Sequence, residues 1–153
     1  VCSADLRGEI RKDLHRVEQE LGEIPEVPAD RSKVCQVFVN LFTNALHAMA
    51  DGGTLTVRTW SERFPADQSS EVFQPGEEVV VVEIADTGPG IPPELLPHIF
   101  EPFVTTKPVG KGTGLGMTVV RSIMNLQRGT VTLANRREGG VIARLTFRVQ
   151  ISS

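Results

Sequence analysis

Four consecutive valines, Val79-Val80-Val81-Val82, followed by Glu83-Ile84-Ala85, constrain this chain more than any other stretch. β-Branched side chains favour strands, and an unbroken apolar run calls for burial on both faces, as at the centre of a sheet. Where the run ends, the sequence reads Asp86-Thr87-Gly88-Pro89-Gly90-Ile91. A carboxylate therefore stands at the end of a buried strand, beside two glycines and a proline that turn the chain. Glycine permits positive φ and lets a ligand approach the backbone closely. The stretch reads either as an ordinary turn or as the floor of a site for a flat polar ligand.

The chain has 153 residues, which suits one domain around one core. Its 40% apolar and 23% charged content is ordinary for a soluble globular protein. The net charge of −3 argues against a nucleic-acid or anionic-membrane surface, but not against a small anionic ligand held by local cations. No apolar run approaches the roughly 20 residues of a membrane span, and no signal peptide is visible. The expected location is the cytoplasm, with no membrane contact by this domain even if a longer protein is anchored. The chain begins at Val1 without Met and reads as a fragment. Cys2 and Cys35 are too few and too scattered for a disulfide framework or a metal site, and Cys35 reads as a small side chain in a helix.

Leu6, Ile10 and Leu14 recur at near-helical spacing, which predicts an amphipathic helix over 3–13. Residues 1–14 are taken as an N-terminal helix or linker remnant ahead of a domain spanning 15–153. Residues 15–21 alternate and read as a strand, with a continuing helix as the rival, and His15 reads as part of an exposed edge. Asp30 is a good N-cap for a helix running to about Ala50. Val34, Val37, Phe38, Leu41, Phe42, Ala45 and Met49 form its apolar face. The opposite arc carries Asn40, Thr43, Asn44 and His47; Asn40 and Asn44, four apart, project the same way. This arc reads as a solvated face or a functional one, and asparagine is a poor helix former that nothing local calls for here. His47 reads as a polar rim residue, with a phosphate contact as the rival reading. Asp51-Gly52-Gly53 turns into a strand over 54–60, residues 63–76 read as a hairpin-like surface insertion, and a strand over 77–85 leads back to Asp86.

After Ile91, the prolines Pro92, Pro93, Pro97, Pro102 and Pro108 exclude a long helix between 92 and 110, leaving a short helical turn at 93–98. His98 in that turn reads as a surface residue. Phe100 and Phe103 flank Glu101-Pro102 and read as packing anchors for a lid-like loop. The glycine-rich run Gly110-Lys111-Gly112-Thr113-Gly114-Leu115-Gly116 then opens a helix, where bare amides and the positive helix end favour phosphate. Gly112, Gly114 and Gly116 allow amides to wrap a polyphosphate, and Lys107 and Lys111 bring charge. The run follows no strand, unlike a Rossmann loop, and lacks the Gly-Lys-Ser/Thr ending of a Walker loop. Leu115, Val119, Ile123 and Leu126 mark a helix over 115–127, Gly129 fits its C-terminal cap, and 130–135 with 141–151 read as a closing hairpin.

Taken in order, four stretches carry a resemblance. They are Asn40-Leu41-Phe42-Thr43-Asn44-Ala45, Asp86-Thr87-Gly88-Pro89-Gly90-Ile91, Phe100-Glu101-Pro102-Phe103-Val104-Thr105-Thr106-Lys107 and Gly112-Thr113-Gly114-Leu115-Gly116. They resemble the N, G1, F and G2 boxes of the ATP-binding catalytic domain of bacterial sensor histidine kinases, over about residues 15–150. Asn44-Ala45-Leu46-His47-Ala48-Met49 and the Thr105-Thr106-Lys107 run resemble the nitrogen-regulatory type. The wider superfamily includes DNA gyrase, MutL-type repair proteins and chaperone ATPases. The resemblance implies an α+β fold, a two-layer α/β sandwich in which a mixed five-stranded sheet packs against about three helices, with an ATP lid.

It also implies ATP and Mg²⁺ as cofactors and a role for each motif residue. Asp86 would accept the exocyclic amino hydrogen of adenine and reject guanine, which presents an acceptor there. Gly88 and Gly90, with Ile91 beside them, would let the ring lie against the backbone. Asn44 would hold Mg²⁺ with Asn40 next to it, since amide oxygens are hard ligands. Gly112, Gly114 and Gly116 would supply phosphate-binding amides, assisted by Lys107 and by Lys111 or His47, and Phe100, Thr106, Thr113 and Leu115 complete the implied cofactor-binding set. Asn40, Asn44 and Lys107 are the implied catalytic residues. Hydrolytic relatives place a glutamate at the position of Asn40; asparagine cannot activate water as a base, so the site would hold ATP without spending it on water. The family's phosphoacceptor histidine belongs to a separate dimerisation domain, and none of His15, His47 and His98 sits in its motif. The implied activity is γ-phosphoryl transfer from Mg-ATP to that histidine in two-component signalling. The implied partners are the dimerisation domain of the same kinase, outside this sequence, and indirectly a response regulator. A gyrase-like ATPase and a regulatory ATP-binding serine kinase module are the alternative readings.

Overall fold

The computed structural model describes residues 15–68, 70–102, 104 and 116–149. The helix expected over 3–13 lies outside these residues, as do Phe103 and residues 105–115. Five strands are formed: β1 (His15–Leu21), β2 (Gly53–Arg63), β3 (Glu78–Ala85), β4 (Thr130–Asn135) and β5 (Val141–Arg148). They make one sheet in the order β1-β2-β3-β5-β4. β1 runs parallel to β2 and every other pairing is antiparallel, so the sheet is mixed. A parallel pair needs a long crossover, and helix α1 (Arg31–Ala48) supplies it. Among the described residues, α1, α2 (Gly116–Leu126) and a 3₁₀ turn (Leu96–His98) are the helical elements, two α-helices where about three were expected. None of these helices is long and apolar enough to cross a membrane.

The valine run behaves as its composition demands. β3 lies between β2 and β5 and six successive residues, Val79 to Ile84, are buried. Val80, Val82 and Ile84 face the main core with Val37, Leu41 and Leu145, each of which is worth roughly 1.5–3 kcal/mol when fully buried. Val79 and Val81 point to the other face, against Phe73 with Trp60, Phe64 and Val72. The insertion over 63–76 is hairpin-like, joining β2 to β3, and adds an anchor the sequence did not indicate: it folds back over the sheet and buries Phe73 to 3% exposure. Ser70 Oγ accepts from the amides of Val72 and Phe73 and shapes the return.

Both helix caps carry lessons. Asp30 caps α1 as read, its Oδ1 accepting from Lys33 N at 3.1 Å. At the other end His15 is buried, with Nε2 2.7 Å from Met49 O, so the exposed-edge reading of His15 is corrected: parallel pairing brings its ring under the end of α1. Cys35 lies half-buried on α1, a helical position as read, and is disulfide-bonded, which two scattered cysteines did not suggest. On α2 the buried residues are Val120, Ile123 and Met124, whereas Leu126 is 77% exposed at the helix end. The left-handed residue closing α2 is Arg128 (φ 58°), not Gly129. Gly129 donates to Met124 O at 2.8 Å, and a Cβ there would meet Thr146 O at 2.5 Å, so glycine serves close packing rather than the φ.

Candidate functional site

A cleft of about 990 Å³ opens between α1, the Asp86–Pro93 segment, the start of α2 and the turn joining β4 to β5. The polar arc of α1 faces it: Asn40, Thr43, Asn44 and His47 all line the cleft. Their helical spacing puts them on one side, while Val37, Leu41, Ala45 and Leu46 turn to the core. Asn40 Nδ2 reaches Gly116 O at 3.4 Å, and Asn44 Nδ2 reaches Met117 Sδ at 3.5 Å, so both asparagines look toward the first turn of α2. The arc faces this cleft rather than open bulk water: Asn40, Thr43 and Asn44 are part-buried, and His47 at its edge is exposed.

At the far end stands Asp86, 5% exposed. Its Oδ1 accepts from Gly88 N at 2.9 Å and from Val141 N at 3.2 Å, and its own amide donates to Val141 O at 3.0 Å. Among the described residues nothing donates to Oδ2. Burial pushes the carboxyl above its ordinary pKa, while the Gly88 and Val141 amides and the Arg136 guanidinium act in the opposite direction. The walls near it are apolar, from Ile84, Ile91, Leu133, Val141 and Ala143. A single carboxylate in an apolar slot can accept from one donor of a flat heterocycle and leave the ring to van der Waals contact.

The structure sorts the other motif residues. Gly90 (φ 86°), Ile91 and Gly116 line the cleft. Gly88 does not; its amide is engaged by Asp86 Oδ1, so it shapes the carboxylate rather than the ring's bed. Phe100 does not line the cleft either. Its carbonyl accepts from Thr118 Oγ1 at 2.9 Å and Arg121 lies over its ring at 5.4 Å, which anchors the segment to α2. His98 is in the 3₁₀ turn, 2.6 Å from Glu101 through Nδ1, and exposed. Thr106, Lys107, Lys111, Gly112, Thr113, Gly114 and Leu115 fall outside the described residues.

Sequence reasoning missed the β4–β5 turn. Asn135 holds Ile91 by both amide groups, Oδ1 accepting from Ile91 N at 2.8 Å and Nδ2 donating to Ile91 O at 2.8 Å. Arg136 Nη1 donates to Asp86 O at 2.9 Å. Gly140 (φ 94°) has no space for a side chain, because a Cβ would lie 2.0 Å from Asp86 O. The pair Gly139-Gly140 after two arginines was the available signal, but a hairpin turn accounts equally well for glycines there.

Comparison with known proteins agrees with this geometry. Residues 29–151 match the family described as histidine kinase-, DNA gyrase B-, and HSP90-like ATPase. The sensor kinase CckA of Brucella abortus (strain 2308) is 45% identical over 69% of this chain and 11% of its own length. The sensory histidine kinase/phosphatase NtrB of Rhizobium meliloti (strain 1021) is 35% identical over 82% of this chain and 32% of its own length. The chain thus spans between about a tenth and a third of these relatives. Among solved structures, the catalytic domain of histidine kinase ThkA superposes with a TM-score of 0.73 at 29% identity, covering 97% of this chain and 89% of that one. ThkA has also been solved in complex with the response regulator protein TrrA, and there it aligns with a TM-score of 0.70 at 26% identity, over 97% of this chain and 38% of that one. With a mixed five-stranded sheet, a carboxylate at the end of its central strand and paired asparagines across the cleft, the chain belongs to the histidine kinase-, DNA gyrase B- and HSP90-like ATPase family, beside the catalytic domains of sensor histidine kinases.

Proposed function

We propose that residues 15–153 are the catalytic domain of a sensor histidine kinase, which binds Mg-ATP and donates its γ-phosphoryl group to a histidine on a separate dimerisation domain. The observation that carries this reading is the convergence of Asn40, Asn44 and Asp86 on one cleft. Asp86 reads the base: its carboxylate accepts the adenine amino group, and guanine would set acceptor against acceptor at a buried site. Asn40 and Asn44 stand at the polyphosphate end, next to the start of α2, whose first-turn amides favour anions.

The donor set suits Mg²⁺. Among the described residues no three His, Cys, Asp or Glu side chains gather into a metal cage. Mg²⁺ is commonly held by one or two protein groups, substrate phosphates and water. Asn44, with Asn40 beside it, would hold it, and the ion would neutralise charge on the phosphates during transfer. Lys107, Lys111, Thr106 and the residues from Gly112 to Leu115 are assigned to the phosphates by the motif alone. Asn40 has no basic group with which to activate water, so the cleft protects ATP for transfer rather than hydrolysis. The relative ThkA has been crystallised with a response regulator, which supports a place for this chain upstream of such a protein.

Calorimetry tests the reading first: ADP and ATP should bind in a Mg²⁺-dependent manner, with little phosphate release by this chain alone. Addition of a helical dimerisation domain should then yield an acid-labile phosphohistidine. Absence of adenine-nucleotide binding at millimolar concentration would sink the proposal, and rapid phosphate release would point to a hydrolase.

A further inference from the structure

Arg136 contacts the base-reading residue from outside every motif. Its Nη1 donates to Asp86 O at 2.9 Å, and its Nη2 lies 3.3 Å from Glu138. Its side chain is 24% exposed, and it is the only arginine or lysine among the described residues that line the cleft. Its neighbours hold the same turn: Asn135 grips Ile91 and Gly140 packs on the Asp86 carbonyl. We infer that Arg136 is a positioning residue for nucleotide recognition, tying the Asp86 backbone to the β4–β5 turn and holding the facing carboxylate in its accepting form. This inference rests on Asp86 being the base contact.

The physical case has two parts. A charged donor on the Asp86 carbonyl fixes the orientation of that residue with a bond stronger than a neutral one. The same guanidinium, held beside a buried carboxylate, offsets part of the cost of its ionisation. That matters because Oδ1 is occupied by two amides, so protonation would fall on Oδ2 and turn the remaining acceptor into a donor. The other groups facing this region are His47, on the α1 wall of the cleft, and Glu138, the exposed partner of Arg136.

Two variants separate bond from charge. Arg136→Gln keeps a donor without charge, whereas Arg136→Lys keeps charge. In the intact chain, without nucleotide, ¹³C NMR should show the Asp86 carboxyl titrating at higher pH in R136Q and near the wild-type midpoint in R136K. ADP affinity measured against pH should show the same displacement of its acid limb, which falls about tenfold per pH unit below the midpoint. Should R136Q not fold, Glu138→Gln provides the reverse shift, a midpoint below wild type. Carboxyl midpoints and acid limbs that coincide in wild type, R136Q and R136K would overturn the inference. A wild-type chain that binds no ADP would instead remove the proposed function, while the carboxyl titration would still decide the part played by Arg136.

Discussion

The two ends of the cleft are built to different standards. At the Asp86 end, four hydrogen bonds of 2.9 to 3.2 Å fix one residue through its amide, its carbonyl and one carboxylate oxygen. At the asparagine end, Asn40 reaches Gly116 O at 3.4 Å, the outer margin of a hydrogen bond, and Asn44 meets the larger, softer Met117 Sδ at 3.5 Å. The first end is organised during folding, and its groups have no geometry left to find when a ligand arrives. Preorganisation of this kind reduces the ordering cost of binding. On the proposed function the second end is completed by phosphates and cation, so selectivity for the base and grip on the phosphates are separable.

The largest effect should come from crowding the rigid end. Gly140→Ala places a methyl group against the Asp86 carbonyl at positive φ, and should cost about 3 kcal/mol or more in urea unfolding. A normally stable variant would mean that the two turns are not tightly coupled. Next, Asp86→Asn keeps an acceptor for Gly88 and Val141 but presents a donor to the cleft. ADP affinity should fall about 100-fold, near 2.7 kcal/mol, with the fold intact; unchanged affinity would place the base elsewhere.

The same variant tests the electrostatics of that end. Burial raises the folded pKa of Asp86 above its unfolded value. The native state therefore holds its proton longer, and stability is lost as pH rises from the unfolded value through the raised folded one. Asp86→Asn lacks this loss, so the two unfolding free energies should separate with rising pH across that window. Parallel curves would show that the amides and Arg136 fully compensate burial.

At the asparagine end, Asn44→Ala should weaken ADP binding about tenfold, or ~1.4 kcal/mol, in the presence of Mg²⁺ and by less without it. Equal losses in both conditions would take Asn44 out of cation binding. The smallest effect should lie outside the comparison. Arg58 sits on the opposite sheet face, 2.8 Å from Glu20 with both side chains more than half exposed. Arg58→Ala should alter stability by about 0.5 kcal/mol and leave nucleotide affinity unchanged; a change in affinity would mean that the outer face communicates with the cleft.

Legibility along the chain followed the range of the forces involved. The central position of β3, the Asp30 cap and the one-sided placement of Asn40 and Asn44 were readable because they depend on periodicity and on neighbours within one turn. His15 was misread because its partner, Met49 O, is 34 residues away. The 63–76 insertion was legible as a hairpin-like excursion, but its anchor was not, because Phe73 finds a pocket only on the finished sheet. Leu126 shows the converse: a residue in phase with the apolar stripe has nothing to pack against once the helix outruns the core. Asn135 and Arg136 carried no signal beyond the glycine pair that follows them, since both act on the turn after β3.

The sequence alone determined which residues could do chemistry: a carboxylate at the end of a strand too apolar to be anywhere but central, two asparagines that helix geometry must place together, and a family order that joined them. Only the tertiary structure decided what holds that carboxylate. Antiparallel pairing of β3 with β5 brings the β4–β5 turn against Asp86, and contacts between segments about 50 residues apart, such as Arg136 with Asp86 O, arise from strand order rather than from local pattern. The candidate residues were legible in type and spacing, and their orientation is set by the register of the sheet.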